Sequence, residues 1–240
     1  MAKIRRPITM DERRAKATAW ALTFADMVTL LLTFFVLLLV ILNDAEQHID
    51  MIINKLLDET YEELNKNIGS DQVSVDRVTK GIKITMRGNL FKSMSADVNP
   101  EVYPLLIEIG QIIRSSKIIG VHSNPNYKYL LDLIDNRGTS LNVEVRCEGH
   151  TDDLELPEES IFPSNWELSS ARSLNFVRLL SNYSKMPQRI FSAMGYGEFR
   201  PIIDINKLRN NYQIVEARAQ NRRVEIYLDA FIKDKIEFEM

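Results

Sequence analysis

An apolar run over residues 21–42 constrains this chain more than any other feature, because it is long enough to cross a bilayer as one helix. Its one charge is Asp26. A carboxylate near mid-span is disfavoured by about 2.5–3.5 kcal/mol on insertion scales, so retaining one points to an ion pathway. The competing reading is a polar residue near the helix start that snorkels to the headgroups. Thr23, Asp26, Thr29 and Thr33 share one side of the helical wheel, which gives the carboxylate a polar stripe facing a partner or a wet cavity. Desolvation penalises the anion more than the acid, and a proton or bound cation neutralises it, so Asp26 reads as a loading site. A lone helix has no lipid-shielded path. The chain therefore implies a multi-span partner and a second copy of itself.

Lys3, Arg5, Arg6, Arg13, Arg14 and Lys16 precede the run with only Asp11 and Glu12 to offset them, while Asp44, Glu46 and Asp50 follow it. The positive-inside rule then makes residues 1–20 a cytoplasmic tail, 21–42 a single transmembrane helix and the remainder exported. The run is too long for a signal-peptide core and no small-x-small site closes it, so it is expected to stay as an anchor in the inner membrane. Cys147 is the one cysteine, which leaves the exported part to core packing rather than disulfides. A net charge of −3 argues against nucleic acid as a partner.

Ile49, Ile52, Ile53, Leu56 and Leu57 recur at helical spacing after the span. Such a short amphipathic helix can pack on its own domain, pair in a dimer, or lie in the membrane interface. Residues 60–71 are polar and read as a spacer, so 43–69 form helix plus linker and 70–240 the exported domain. Alternation over 73–78 and 82–86 around Lys80-Gly81 predicts a β-hairpin. Residues 100–113 read as a helix with Leu105, Ile109, Ile112 and Ile113 toward a core. A strand over 141–148 buries Leu141, Val143, Val145 and Cys147, which makes the thiol an inert core group. Ser164 with Glu167 fits a capping box opening a helix that Met186-Pro187 ends, followed by a short strand over 190–194 and a terminal strand over 222–228. Strands alternating with helices give a two-layer α/β domain. Residues 119–139 look like an insertion.

Gly149-His-Thr-Asp-Asp153 leaves the end of the cleanest strand, and Asn165, Ser169 and Arg172 stand on the helix after it. Polar loops at strand ends are where α/β domains bind small polar groups. Asp152 suits an ammonium group and Arg172 a carboxylate, so one zwitterionic ligand, such as diaminopimelate in a peptidoglycan stem, satisfies both. The bland alternative is a salt bridge between Asp152 and Arg172 that pins loop to helix. An enzyme reading would use His150, Asp152 and Asp153 as metal ligands, or Glu148 and Asp152 as an acid/base pair. Neither spacing is specific, so no catalysis, no metal and no cofactor are expected.

The segment Trp20-Ala-Leu-Thr-Phe-Ala-Asp26 with the apolar residues after it resembles the membrane span of MotB-type flagellar stator proteins. Gly149-His-Thr-Asp-Asp153, Ser164-Asn-Trp-Glu-Leu-Ser169, Ala171-Arg172, Gly195-Tyr-Gly-Glu198 and Gln220-Asn-Arg-Arg-Val-Glu225 resemble the OmpA-like peptidoglycan-binding domain those proteins carry. The resemblance implies a stator subunit that couples H+ or Na+ flow to torque and is anchored to peptidoglycan. Asp26 would be its ion carrier, and Ile49, Ile52, Ile53 and Leu56 would belong to a plug over about residues 45–57. Thr151, Asp152, Asn165, Leu168, Arg172 and Arg222 would form the peptidoglycan site. The implied partners are a MotA-like multi-span protein, a homodimeric copy, and the flagellar rotor through the MotA-like protein. Two readings compete: an OmpA-like cell-wall tether without transport, and an ion-driven energiser of another envelope machine. The loop after Asp153 departs from the family in lacking its usual glycine.

Overall fold

The computed structural model describes residues 9–68, 72–92 and 94–235, apart from the side chains of residues 12, 14–17 and 42–47. The basic residues Lys3, Arg5 and Arg6, and the end of the expected spacer at 69–71, lie outside the described residues. The chain divides into two compact units, Met1–Asp50 and Met51–Met240, and the first helix, α1 (Met10–Asn67), belongs to both.

Within the first unit, residues Thr18–Ile41 are apolar enough to span a membrane, with a mean hydropathy of 2.6, three residues upstream of the start expected from composition. The threonines on the Asp26 side turn their hydroxyls onto their own helix: Thr23 donates to the carbonyl of Trp20, Thr29 to that of Asp26 and Thr33 to that of Leu30, each at 2.8 Å. This back-bonding satisfies the hydroxyls without a partner helix. The carboxylate of Asp26 is the one ionisable group of the span.

The second unit begins at Met51, upstream of the boundary at 70, because residues 60–67 are not a spacer. Leu64 and Ile68 continue the apolar spacing of Ile53, Leu56 and Leu57, and all five are buried. Polar residues between them therefore form the outer face of a helix, which the composition alone disguises. On the flank of this stretch Arg77 donates to Asn54 and Asp58, both at 2.7 Å, and Lys117 to Glu59 at 2.7 Å.

The domain is built on a five-stranded sheet: β1 (Val73–Val78), β2 (Gly81–Arg87), β3 (Thr139–His150), β4 (Phe191–Gly195) and β5 (Arg223–Asp234). The strand order is β1-β2-β5-β3-β4, antiparallel throughout except for the parallel pair β3 and β4. The parallel pair requires a crossover, supplied by α4 (Asn165–Ser184). Beside it lies α2 (Tyr103–Ser115). Alternation sets one sheet face apolar, with Ile82, Ile84, Met86, Val145, Cys147, Val224, Ile226 and Leu228 under the helices. Burial pushes the Cys147 thiol far up, as expected of a core group.

On α2 the core position goes to Leu106 rather than Leu105, since Leu106 shares the face of Ile109, Ile112 and Ile113. Residues 119–139 are folded: α3 (Lys128–Asp135) seats Leu130 and Ile134 in the core. A further helix, α5 (Asn211–Asn221), precedes the last strand, where the sequence shows little amphipathic signal. The capping box of α4 is formed, with Ser164 accepting from the Trp166 amide at 3.1 Å and bonding Glu167. Lys185, in the left-handed conformation at φ 55°, ends that helix just before Met186-Pro187.

Candidate functional site

Two glycines bring α4 hard against the sheet. A Cβ on Gly149 would lie 2.3 Å from the carbonyl oxygen of Ser169, and one on Gly195 would lie 2.4 Å from the Ser170 amide nitrogen. Only glycine permits that approach, which sets the start of α4 beside the C-terminal end of β3. The loop leaving β3 is then tied down: the Thr151 amide donates to Gly197 at 2.9 Å, and Asn165 Nδ2 donates to Leu154 O at 3.0 Å and Glu198 Oε2 at 2.7 Å. Opposite, the Asn221 side chain accepts from the amides of Ile202 and Ile203 at 2.8 and 3.0 Å and donates back to Ile203 O.

These contacts frame a cleft of about 610 Å³ whose lining includes Asp152, Asn165, Leu168, Arg172 and Arg222. Thr151 lines it too, so the six residues expected from the resemblance stand in one place. Asp152 is buried and its Oδ2 accepts from Arg222 Nη1 at 2.6 Å, while its Oδ1 accepts from the Leu154 amide at 3.3 Å. The alternative reading, a salt bridge between Asp152 and Arg172, is not formed; Asp152 pairs with Arg222. Arg172 instead donates Nε to Ser95 O at 3.0 Å and lies over the Phe91 ring, 4.7 Å from its centroid. Burial lowers its pKa to about 10; Asp152 opposes that shift and Arg222 reinforces it. It remains a cation at neutral pH. One carboxylate and two guanidiniums in a half-enclosed space suit a ligand with an ammonium group and more than one carboxylate.

Neither enzyme arrangement is assembled. Asp153 is engaged by Arg218 through two bonds of 2.7 and 2.8 Å, which holds its carboxyl below the usual range, so His150, Asp152 and Asp153 do not converge. Glu148 accepts from Arg146 at 2.8 Å and Asp152 from Arg222 at 2.6 Å, so each carboxylate is committed to its own guanidinium. Of the expected plug residues, Ile49, Ile53 and Leu56 are buried and Ile52 is half-buried. Phe91, Ser95, Glu198, Arg218 and Asn221 were not legible as site residues. Of these, Glu198 and Asn221 carried a signal, since they fall within the Gly195-Tyr-Gly-Glu and Gln220-Asn-Arg-Arg motifs.

Comparison with known proteins follows the same division. Residues 5–59 match the family described as the membrane MotB of the proton-channel complex MotA/MotB, and residues 124–222 match the OmpA family. The second match includes most of the segment 119–139, which is thus part of the domain rather than an insertion into it. An uncharacterized protein YtxE of Bacillus subtilis is 25% identical over 88% of this chain and 88% of its own length. Motility protein B of the same organism is 30% identical over 65% of this chain, and the match spans 48% of that protein. A putative MotB-like protein from Desulfovibrio vulgaris shares the fold at a TM-score of 0.53 and 22% identity, over 77% of this chain and 98% of that one. With a membrane-span match ahead of an OmpA-family match, and Asp26 in the first and the lined cleft in the second, the chain is a MotB-type protein with a C-terminal OmpA-like domain.

Proposed function

We propose that this protein is a flagellar stator subunit that conducts H+ or Na+ with a MotA-like partner and holds the stator to peptidoglycan. The single observation that carries the reading is the combination of an isolated carboxylate, Asp26, in an otherwise uncharged span with the Asp152, Arg172 and Arg222 cleft in the same chain. A tether needs only the second. Asp26 takes up the ion and releases it toward the other side, and the cycle alters the fit between this helix and the partner around it. Diaminopimelate supplies the ammonium for Asp152 and carboxylates for Arg172 and Arg222, with Leu168 as an apolar floor and Thr151 and Asn165 shaping the rim. A second copy of the chain completes the channel. The N-terminus lies in the cytoplasm and the OmpA-like domain outside the inner membrane.

Residues 45–57 act as the plug in this proposal. Ile53 and Leu56 are buried, so a plug that used them elsewhere would first have to leave that seat. The test is co-expression with a MotA-type partner. Asp26→Asn is expected to abolish swimming while the protein still inserts, and deletion of 45–57 to acidify or sodium-load the cytoplasm and slow growth. Normal swimming by the Asp26→Asn strain would end the ion-carrier reading.

A further inference from the structure

The sheet face opposite the helices is not a plain solvated surface. Between residues 144–150 of β3 and 223–229 of β5, register and alternation place Glu144, Arg146, Glu148 and His150 beside Asp229, Tyr227, Glu225 and Arg223 on one side. Four carboxylates there face two guanidiniums. At the end nearest the cleft, one carboxylate oxygen each of Glu148 and Glu225 and one ring nitrogen of His150 all lie within 4.8 Å of one another, and all three residues are buried. His150 is only 4% exposed, and neither of its ring nitrogens has a hydrogen-bond partner. An orphaned imidazole at that depth costs free energy unless something occupies its lone pair.

We propose that Glu148, His150 and Glu225 form a binding site for a divalent cation of the zinc class. One imidazole with two carboxylates is a borderline donor set that suits zinc, leaving a fourth position for water. Ligand atoms on one tetrahedral zinc sit roughly 3.4 Å apart, so from a spread of up to 4.8 Å the trio draws in by at most about 1.4 Å, which side-chain rotation supplies. The carboxylates are already aimed: Arg146 Nε holds Glu148 Oε1 at 2.8 Å, Arg223 Nε holds Glu225 Oε1 at 2.6 Å, and Tyr227 donates to Glu225 Oε2 at 2.6 Å. Each oxygen keeps a further lone pair, so these bonds act as an outer shell rather than as competitors. Entry is through the cleft, whose lining includes His150 and Arg223. Sequence spacing gives no sign of this trio, and no metal is expected from it, because Glu225 reaches the site only through strand pairing.

The chain has three histidines, and the other two, His48 and His122, lie outside the site. The test uses untagged full-length protein in detergent, stripped with a chelator and titrated with Zn²⁺ by calorimetry, with X-ray absorption at the zinc edge. A His48→Gln/His122→Gln double variant is expected to bind one Zn²⁺ per chain with one nitrogen ligand in the zinc shell. Added His150→Gln or Glu225→Gln is expected to weaken binding by roughly tenfold or more. Absence of saturable binding in the double variant, or a zinc shell of oxygen alone, overturns the proposal, even where the Glu225 variant fails to fold. No wall or motility readout enters, so this result stands apart from that of the stator reading.

Discussion

Asp26 and Asp152 are both carboxylates withdrawn from the usual surface setting, and their surroundings differ in one respect. Asp152 has Arg222 at 2.6 Å and a backbone amide at 3.3 Å, so its charge is permanently matched. Asp26 has threonines whose hydroxyls are spent on their own helix, and its span contains no cation. A matched carboxylate recognises; an unmatched one is free to take up and give back a positive ion. In the stator reading proposed above, the same side chain serves two purposes according to whether the fold supplies its counter-charge.

Removing the charge from each acid tests that contrast most severely. Asp26→Asn is expected to eliminate torque, read as the loss of rotation in tethered cells, whereas Asp152→Asn should leave the span intact and lower the fraction of protein sedimenting with purified peptidoglycan. Arg172→Ala and Arg222→Ala should each weaken wall binding by roughly tenfold to a hundredfold, the scale of a lost charge-assisted bond. Equal losses in both would show that the two guanidiniums share the ligand; a loss in Arg172→Ala alone would leave Arg222 as a holder of Asp152. Below these stands packing. Leu64→Ala, at a fully buried position on the helix stretch after Met51, should cost about 2–5 kcal/mol in domain stability by denaturant titration, and Gly149→Ala about 1–3 kcal/mol with wall binding impaired.

The smallest effect is expected from Asp153, whose side chain is 42% exposed despite its two bonds to Arg218. Screening limits such a pair to about 1 kcal/mol or less. Its folded pKa is lowered, so the contribution is present above the ordinary carboxylate value near 3.8 and is lost as pH falls through the still lower folded value. Asp153→Asn should therefore lower the melting temperature slightly at neutral pH and match the parent protein in strong acid.

The readable parts of the sequence were those with a short-range cause. The span, the hairpin at Lys80-Gly81, the capping box at Ser164 and the strand β3 each depend on neighbours within one element, and each is formed, although in β3 Val143 is only half-buried and Glu148 to His150 are buried on both faces. Residues 60–67 misled because the polar residues of their outer face outnumber Leu64, whose burial depends on tertiary packing rather than on its neighbours in sequence. The helix Asn211–Asn221 carries too weak a stripe to announce itself. In the cleft, the resemblance located the six residues, but the choice of Arg222 over Arg172 as partner for Asp152 depends on how β5 starts, which no spacing encodes. Phe91 and Ser95 come from a wall far upstream and were invisible for the same reason.

Arg222 and Arg223 are consecutive and both line the cleft, yet the first bonds Asp152 across it while the second is buried on the sheet and bonds Glu225. Because successive strand residues point opposite ways, a slip of β5 by one position would exchange the two arginines and undo ligand capture and the strand's interior pairing at once. An insertion or deletion at that junction is therefore far more damaging than a substitution, and the chain's ability to grip its wall doubles as a proofreading mark for how its final strand has been threaded.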